Sequence, residues 1–192
     1  RMKRFEKHGN YNVSGDIVVT LQHEQFDAWL EAVMGGTWDT NVLKVGQTPR
    51  SFTMESWHAD VPRSLRYSGV RFNSLNLAVA PNAIVSATFG VIGASYADSA
   101  TALDSTPTPP VDKGPLTHIG GTITVGGTTV KATALNLSIE NNMEALYAIG
   151  SSAAAEINWA DMNVSGSFTI YFEDMTQINR FVNETSAAVV LS

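Results

Sequence analysis

Apolar and polar residues alternate in one short phrase that recurs at three places in the chain. It reads Asn12-Val13-Ser14-Gly15-Asp16-Ile17, then Val85-Ser86-Ala87-Thr88-Phe89, then Asn163-Val164-Ser165-Gly166-Ser167-Phe168. In the first copy Val13, Ile17, Val19 and Leu21 share one phase, with Ser14, Asp16 and Thr20 between them. In the third, Val164, Phe168, Ile170 and Phe172 alternate with Ser165, Ser167, Thr169 and Tyr171. Successive side chains of a strand point to opposite faces, so this period predicts half-buried strands in antiparallel sheets with one wet face. Gly15 and Gly166 stand at the inward phase, where a neighbouring backbone or bulky side chain is expected to fill the gap.

A second echo lies between the outer copies. Ser74-Leu75-Asn76-Leu77-Ala78-Val79 matches Ala134-Leu135-Asn136-Leu137-Ser138-Ile139, with leucines on one face and small polar residues on the other. After the first copy, Phe26, Trp29, Leu30, Val33 and Met34 form the stripe of an amphipathic helix, stopped by Gly35-Gly36. After the third copy, Ile178, Phe181 and Val182 repeat that stripe behind Asp174 or Thr176 as N-cap. The whole reads as a duplicated strand-strand-helix pattern. Residues 51–55, 65–67 and 122–130 read as further strands, the last a hairpin turning at Gly126-Gly127. Residues 36–49 and 97–115 read as loops; the second carries Pro107, Pro109, Pro110 and Pro115. The expected fold is mainly β: an antiparallel β-sandwich or partial barrel with one or two flanking α-helices, in a single domain over 1–192.

Composition removes several function classes. The 12 basic against 18 acidic residues give a net charge of −6, and the only basic cluster, Arg1, Lys3, Arg4 and Lys7, sits at a terminus. Phosphate-gripping proteins carry a basic stripe, so tight nucleic-acid binding is not expected. There is no cysteine, which removes disulfides and thiolate metal sites. His8, His23, His58 and His118 are scattered, with no HxH or HExxH spacing. Glu55 and Asp60 flank Trp57-His58 but match no metal signature, and no phosphate-cradling glycine loop occurs. Gly93-Ala94-Ser95-Tyr96-Ala97 lacks the last glycine of a nucleophile elbow and precedes a proline-rich loop rather than a helix. No apolar run approaches the ~20 residues of a membrane span, and no charged-then-apolar stretch reads as a signal peptide. Neither catalysis nor a cofactor is expected. The Asn-x-Ser/Thr triplets at Asn12, Asn136, Asn163 and Asn183 mostly fall inside the repeated strand phrases.

What remains is surface: long loops, a small-polar sheet face, and strands without the edge lysines or prolines that block pairing. The run from Tyr67-Ser68-Gly69-Val70-Arg71-Phe72-Asn73 through Pro81-Asn82-Ala83-Ile84 to Gly93 resembles the major tail tube proteins of long-tailed bacteriophages. So do Ser14-Gly15-Asp16-Ile17 with its helix and Gly35-Gly36, and the closing Tyr171-Phe172-Glu173-Asp174 and Phe181-Val182-Asn183-Glu184-Thr185. The resemblance spans nearly the whole chain. It implies a structural virion protein assembled in the bacterial host cytoplasm and located in the virion tail. There, hexameric rings stack into a tube through which the genome leaves. It also implies further tail partners (tape measure, tail terminator and distal tail proteins), with DNA only in transit and no membrane.

On this reading Ser14, Asp16, Ser165, Ser167 and Thr169 are candidates for the lumen wall. Contacts between subunits or rings are expected from the arm 1–11 and the loops 39–49 and 97–115, with Arg1, Arg4, Trp38, Asp39, Pro49, Pro107 and Pro110 as candidates. The alternative is a carbohydrate-binding or adhesion sandwich that uses Trp38, Trp57 or Trp159 as stacking platforms. A terminal tail ring of the same fold is a third reading, and an enzyme with a dispersed site a fourth.

Overall fold

Every strand pairing in the named strands is antiparallel, as alternating patterns with one wet face require. A computed structural model describes residues 8–110, 113–119 and 121–191. The elements are β1 (Val13–Thr20), α1 (Asp27–Met34), β2 (Trp38–Asp39), β3 (Val42–Leu43), β4 (Phe52–His58), β5 (Arg63–Val79), β6 (Ser86–Gly93) and β7 (Ser95–Ser99). There follow β8 (Ile123–Val125), β9 (Thr128–Val130), β10 (Ala132–Glu140), β11 (Glu144–Tyr147), β12 (Ala154–Asn158), β13 (Asn163–Ile170), α2 (Thr176–Val182) and β14 (Val189–Leu191). With 49% strand and 8% helix and no closed barrel, the protein is a mainly β, sandwich-like fold with two helices.

The principal sheet runs β1-β6-β5-β10-β13. Strand β5, 17 residues long, also pairs β4 and β7 through its first half. The sequence pattern splits this strand into pieces at 65–67 and 74–79; the chain keeps it whole. It bends at Gly69, whose φ of +64° lets the strand turn where Ala94 approaches, and at a bulge between Phe72 and Ser74.

The two echoes are neighbours in space. Leu77 pairs Leu137, Leu75 pairs Ile139 and Val79 pairs Leu135. Leu77 then pairs Ala87 as Leu137 pairs Gly166, and Leu75 pairs Phe89 as Leu135 pairs Phe168. Exchanging the halves maps β5-β6 onto β10-β13, so the second and third copies of the phrase are the equivalent pair. The first copy, β1, is an added edge strand.

The apolar face of this sheet carries the core. Phe72, Phe89 and Ala87 are fully buried beneath Ala32 and Val33 of α1. Around them Trp29 stands 5.1 Å from Phe72 and edge-on 5.2 Å from Phe89, while Phe52 meets Phe72 edge-on at 5.3 Å. Such tilted and edge-on pairs suit the ring quadrupoles. Buried Asn141 clamps helix to sheet, its Nδ2 donating to the Val33 carbonyl at 2.9 Å and the Phe72 carbonyl at 3.1 Å. The helix stops at Gly35, in the left-handed region at φ +61°; a side chain there would meet Trp159 and the Gly46 carbonyl.

Several expectations change. The second helix forms, but Ile178, Phe181 and Val182 are exposed and α2 buries nothing in the single chain. Its first amide is held by Asp174, whose Oδ1 accepts the Thr176 N–H at 2.8 Å from just before the helix. The third phrase ends at Ile170, leaving Phe172 exposed rather than inward. No side chain or backbone fills the space at Gly15, while Gly166 faces the Asn136 carbonyl oxygen at 3.1 Å. The tightest glycine on the polar side is Gly90, where a Cβ would strike the Ser74 hydroxyl. Strands β7, β11 and β12 also occupy stretches that lack a clear alternating pattern.

Candidate functional site

Opposite the core, the principal sheet presents a polar face that can be read row by row from the register. One row is Asp16, Gly90, Ser74, Glu140 and Asn163; the next is Val18, Thr88, Asn76, Ser138 and Ser165; the third is Thr20, Ser86, Ala78, Asn136 and Ser167. These rows hold two carboxylates and no lysine or arginine. The face is dished, with a depression of about 400 Å³ lined by Asn76, Thr88, Asn136, Ser138, Ser165 and Ser167. Its apolar interruptions are Val18 and Ala78, both exposed. Hydroxyls and amides can hydrate this surface without offering a cation to an anion.

All five wall candidates lie on this face. Ser14 and Asp16 stand on β1 at one edge, and Ser165, Ser167 and Thr169 on β13 at the other. The centre is supplied by Asn76, Ser86, Thr88, Asn136 and Ser138, which sequence reasoning did not single out. Their signal was present, since they are the polar phase of the echoes and of the second phrase copy.

The contact candidates separate. Arg1 and Arg4 lie outside the described residues. Asp39 sits in the small β2-β3 hairpin with Trp38, whose N–H donates to Glu31 Oε1 at 2.9 Å and whose indole Nε1 donates to the Asp27 carbonyl at 3.3 Å. Arg50 joins the same corner through Glu31 Oε2 at 3.0 Å. Pro49, Pro107 and Pro110 are exposed. Trp159 packs on Gly35, so of the three loop tryptophans only Trp57 offers an exposed ring.

The proline-rich segment is pinned at both ends. Residues 97–99 belong to β7 rather than to the loop. Beyond them, Arg66 donates to the Thr101 carbonyl at 2.6 Å, and Glu55 Oε1 accepts the Leu103 N–H at 2.6 Å and the Ser64 hydroxyl. At the far end Lys113 pairs with Glu24, and Leu116 donates to the Leu21 carbonyl at 2.8 Å.

Glu55 is held below the usual glutamate range, first by the Ser64 hydroxyl; its partial burial opposes this, and the Leu103 N–H and Arg66 assist. The anchor it supplies is therefore present above the unfolded carboxyl's value of ~4.3 and is lost as pH falls through the lower folded value. Hydrogen exchange should report this as loss of protection at the Leu103 amide as pH falls below the unfolded value of ~4.3 and through the lower folded one. Glu55→Ala should remove that protection at neutral pH.

Among the described residues no three His, Asp or Glu side chains stand together as a metal site, and no helix is long and apolar enough to cross a membrane. The described residues thus build antiparallel sheets with one broad polar face. A family model described as phage tail tube protein matches residues 1–192, and the chain belongs to that family. A search of curated proteins returns no match. Its role is thus a structural one in the tube of the virion tail, in a family that is not one of enzymes.

Proposed function

We propose that the chain assembles into hexameric rings that stack into the tail tube, with the polar face of the principal sheet lining the lumen through which DNA is ejected. The observation that carries this reading is the face itself: dished, wet, and free of cations over three rows. DNA presents one phosphate charge per ~1.7 Å of helix axis, and three rows without lysine or arginine give it no counter-charge to stop on. A sheet curved toward this face encloses it when copies join side by side, and closure removes the unprotected edges of β1 and β13.

Ser14, Asp16, Ser165, Ser167 and Thr169 then belong to the wall. The β2-β3 corner, the pinned proline-rich loop and the N-terminal arm, with Arg1, Arg4, Trp38, Asp39, Pro49, Pro107 and Pro110, supply contacts between subunits or rings. Assembly takes place in the host cytoplasm, with the tape measure, tail terminator and distal tail proteins as neighbours. Electron microscopy of the purified protein is the test. Hollow sixfold rings or tubes are expected, whereas a lone ~20 kDa species that binds glycans would replace this reading with the adhesion one.

A further inference from the structure

The principal sheet has an odd number of strands between its open edges, and this fixes how two copies can meet. Along β1-β6-β5-β10-β13 every pairing is antiparallel, so direction alternates and β1 and β13 point the same way. Among the described residues each has a strand neighbour on one side only. A rotation about a ring axis leaves the sense of every strand along that axis unchanged. We infer that the seam between neighbouring subunits is a parallel pair, β13 of one copy beside β1 of the next, in a sheet otherwise antiparallel. The inference rests on the ring reading above and deepens it by naming the joining strands and their polarity.

Three further features fit these edges to each other. Both strands are eight residues long. They stand at the same height, since the rows that begin at Asp16, Val18 and Thr20 end at Asn163, Ser165 and Ser167. Neither carries a proline or lysine, and Asp16 is the only charge on either. The offset between the strands is an even number of residues, because a slip of one would turn every side chain of the neighbour to the wrong face. With an even offset, Val164, which is exposed on the apolar face, comes beside the row of Ile17 and Val19. Parallel hydrogen bonds are slanted and slightly weaker per residue, so the seams are the points at which a ring opens first.

The absence of native cysteine permits a clean test. Within one chain β1 and β13 are separated by four strand spacings, roughly 19 Å, far beyond the ~7 Å a disulfide tolerates between Cα atoms. Any disulfide between them therefore joins two copies. Assembled rings of double variants combining Asp16→Cys, Val18→Cys or Thr20→Cys with Asn163→Cys, Ser165→Cys or Ser167→Cys would be oxidised and run on non-reducing gels. The expected result is a covalent ladder whose best partner advances by two residues on β13 for each two residues advanced on β1, several-fold above the mismatched pairs. Rings that link with the opposite progression, or at no pair, would overturn the parallel seam while leaving the tube intact. If the cysteine-free parent forms no rings by electron microscopy, the tube reading fails and the seam with it.

Discussion

Tubes built from a chain carrying Asn76→Lys and Asn136→Lys will hold DNA that the parent tubes let pass. Both asparagines are exposed, one on β5 and one on β10, near the middle of a face whose only charges over three rows are Asp16 and Glu140. Two neutral residues become cations, moving the chain from −6 to −4 because −6 plus 2 is −4. The global change is small, but every copy places it where phosphates travel. Each neutralised phosphate contributes a slope of about −0.9 in log affinity against log salt, so retention should be strong at low salt and fade steeply as salt rises. Infectious titre per assembled particle should fall by about tenfold or more, each factor of ten corresponding to ~1.4 kcal/mol of added hold. The same charges at Thr53→Lys and Thr128→Lys, exposed elsewhere on the chain, should leave titre unchanged. Equal loss from both pairs would mean that the polar face does not line the channel.

Phe89→Ala will remove a large share of the subunit's stability. Its ring is fully buried, edge-on to Trp29 at 5.2 Å and to Phe72 at 5.6 Å, with Phe26 stacked at 6.3 Å. Truncating a buried phenylalanine costs about 3–5 kcal/mol, against a total of about 5–15 kcal/mol for a typical domain. Phe181→Ala on α2 removes the same atoms from a ring that is 86% exposed in the single chain, and should change stability by less than about 0.5 kcal/mol. Urea unfolding of the unassembled subunit separates the two. Comparable losses would place the core elsewhere than between α1 and the principal sheet.

The elements that could be read from the sequence are those whose burial is decided within the chain. Strand β1, helix α1 with its Gly35 stop, the β8-β9 hairpin at Gly126-Gly127 and the paired echoes all have apolar residues on one phase and a partner in the same subunit. Period and propensity then agree with packing. Strand β5 looked broken because its inward phase shifts at the Phe72 bulge, and one extra residue there hides a continuous strand from any alternation count. Helix α2 has a clear stripe and a correct position, but the described residues leave that stripe exposed. A pattern announces that a face is apolar, not which molecule covers it.

The polar face was legible at its two edges and missed at its centre. Asn76, Thr88, Asn136 and Ser138 are ordinary outward residues of their own strands. They become one surface only when the pairings bring β6, β5 and β10 side by side. No single stretch of chain contains a row of that face.

Strand β5 has a mechanical meaning as well. It is bonded along its length to β4 and β7 through its first half and to β6 and β10 through its second. A pull directed along it loads those hydrogen bonds in shear, where they share the force, rather than peeling them one at a time from an end. The bend at Gly69 redirects that load without interrupting it. Each subunit thereby contains a continuous tie between the β4-β5-β7 strands and the principal sheet.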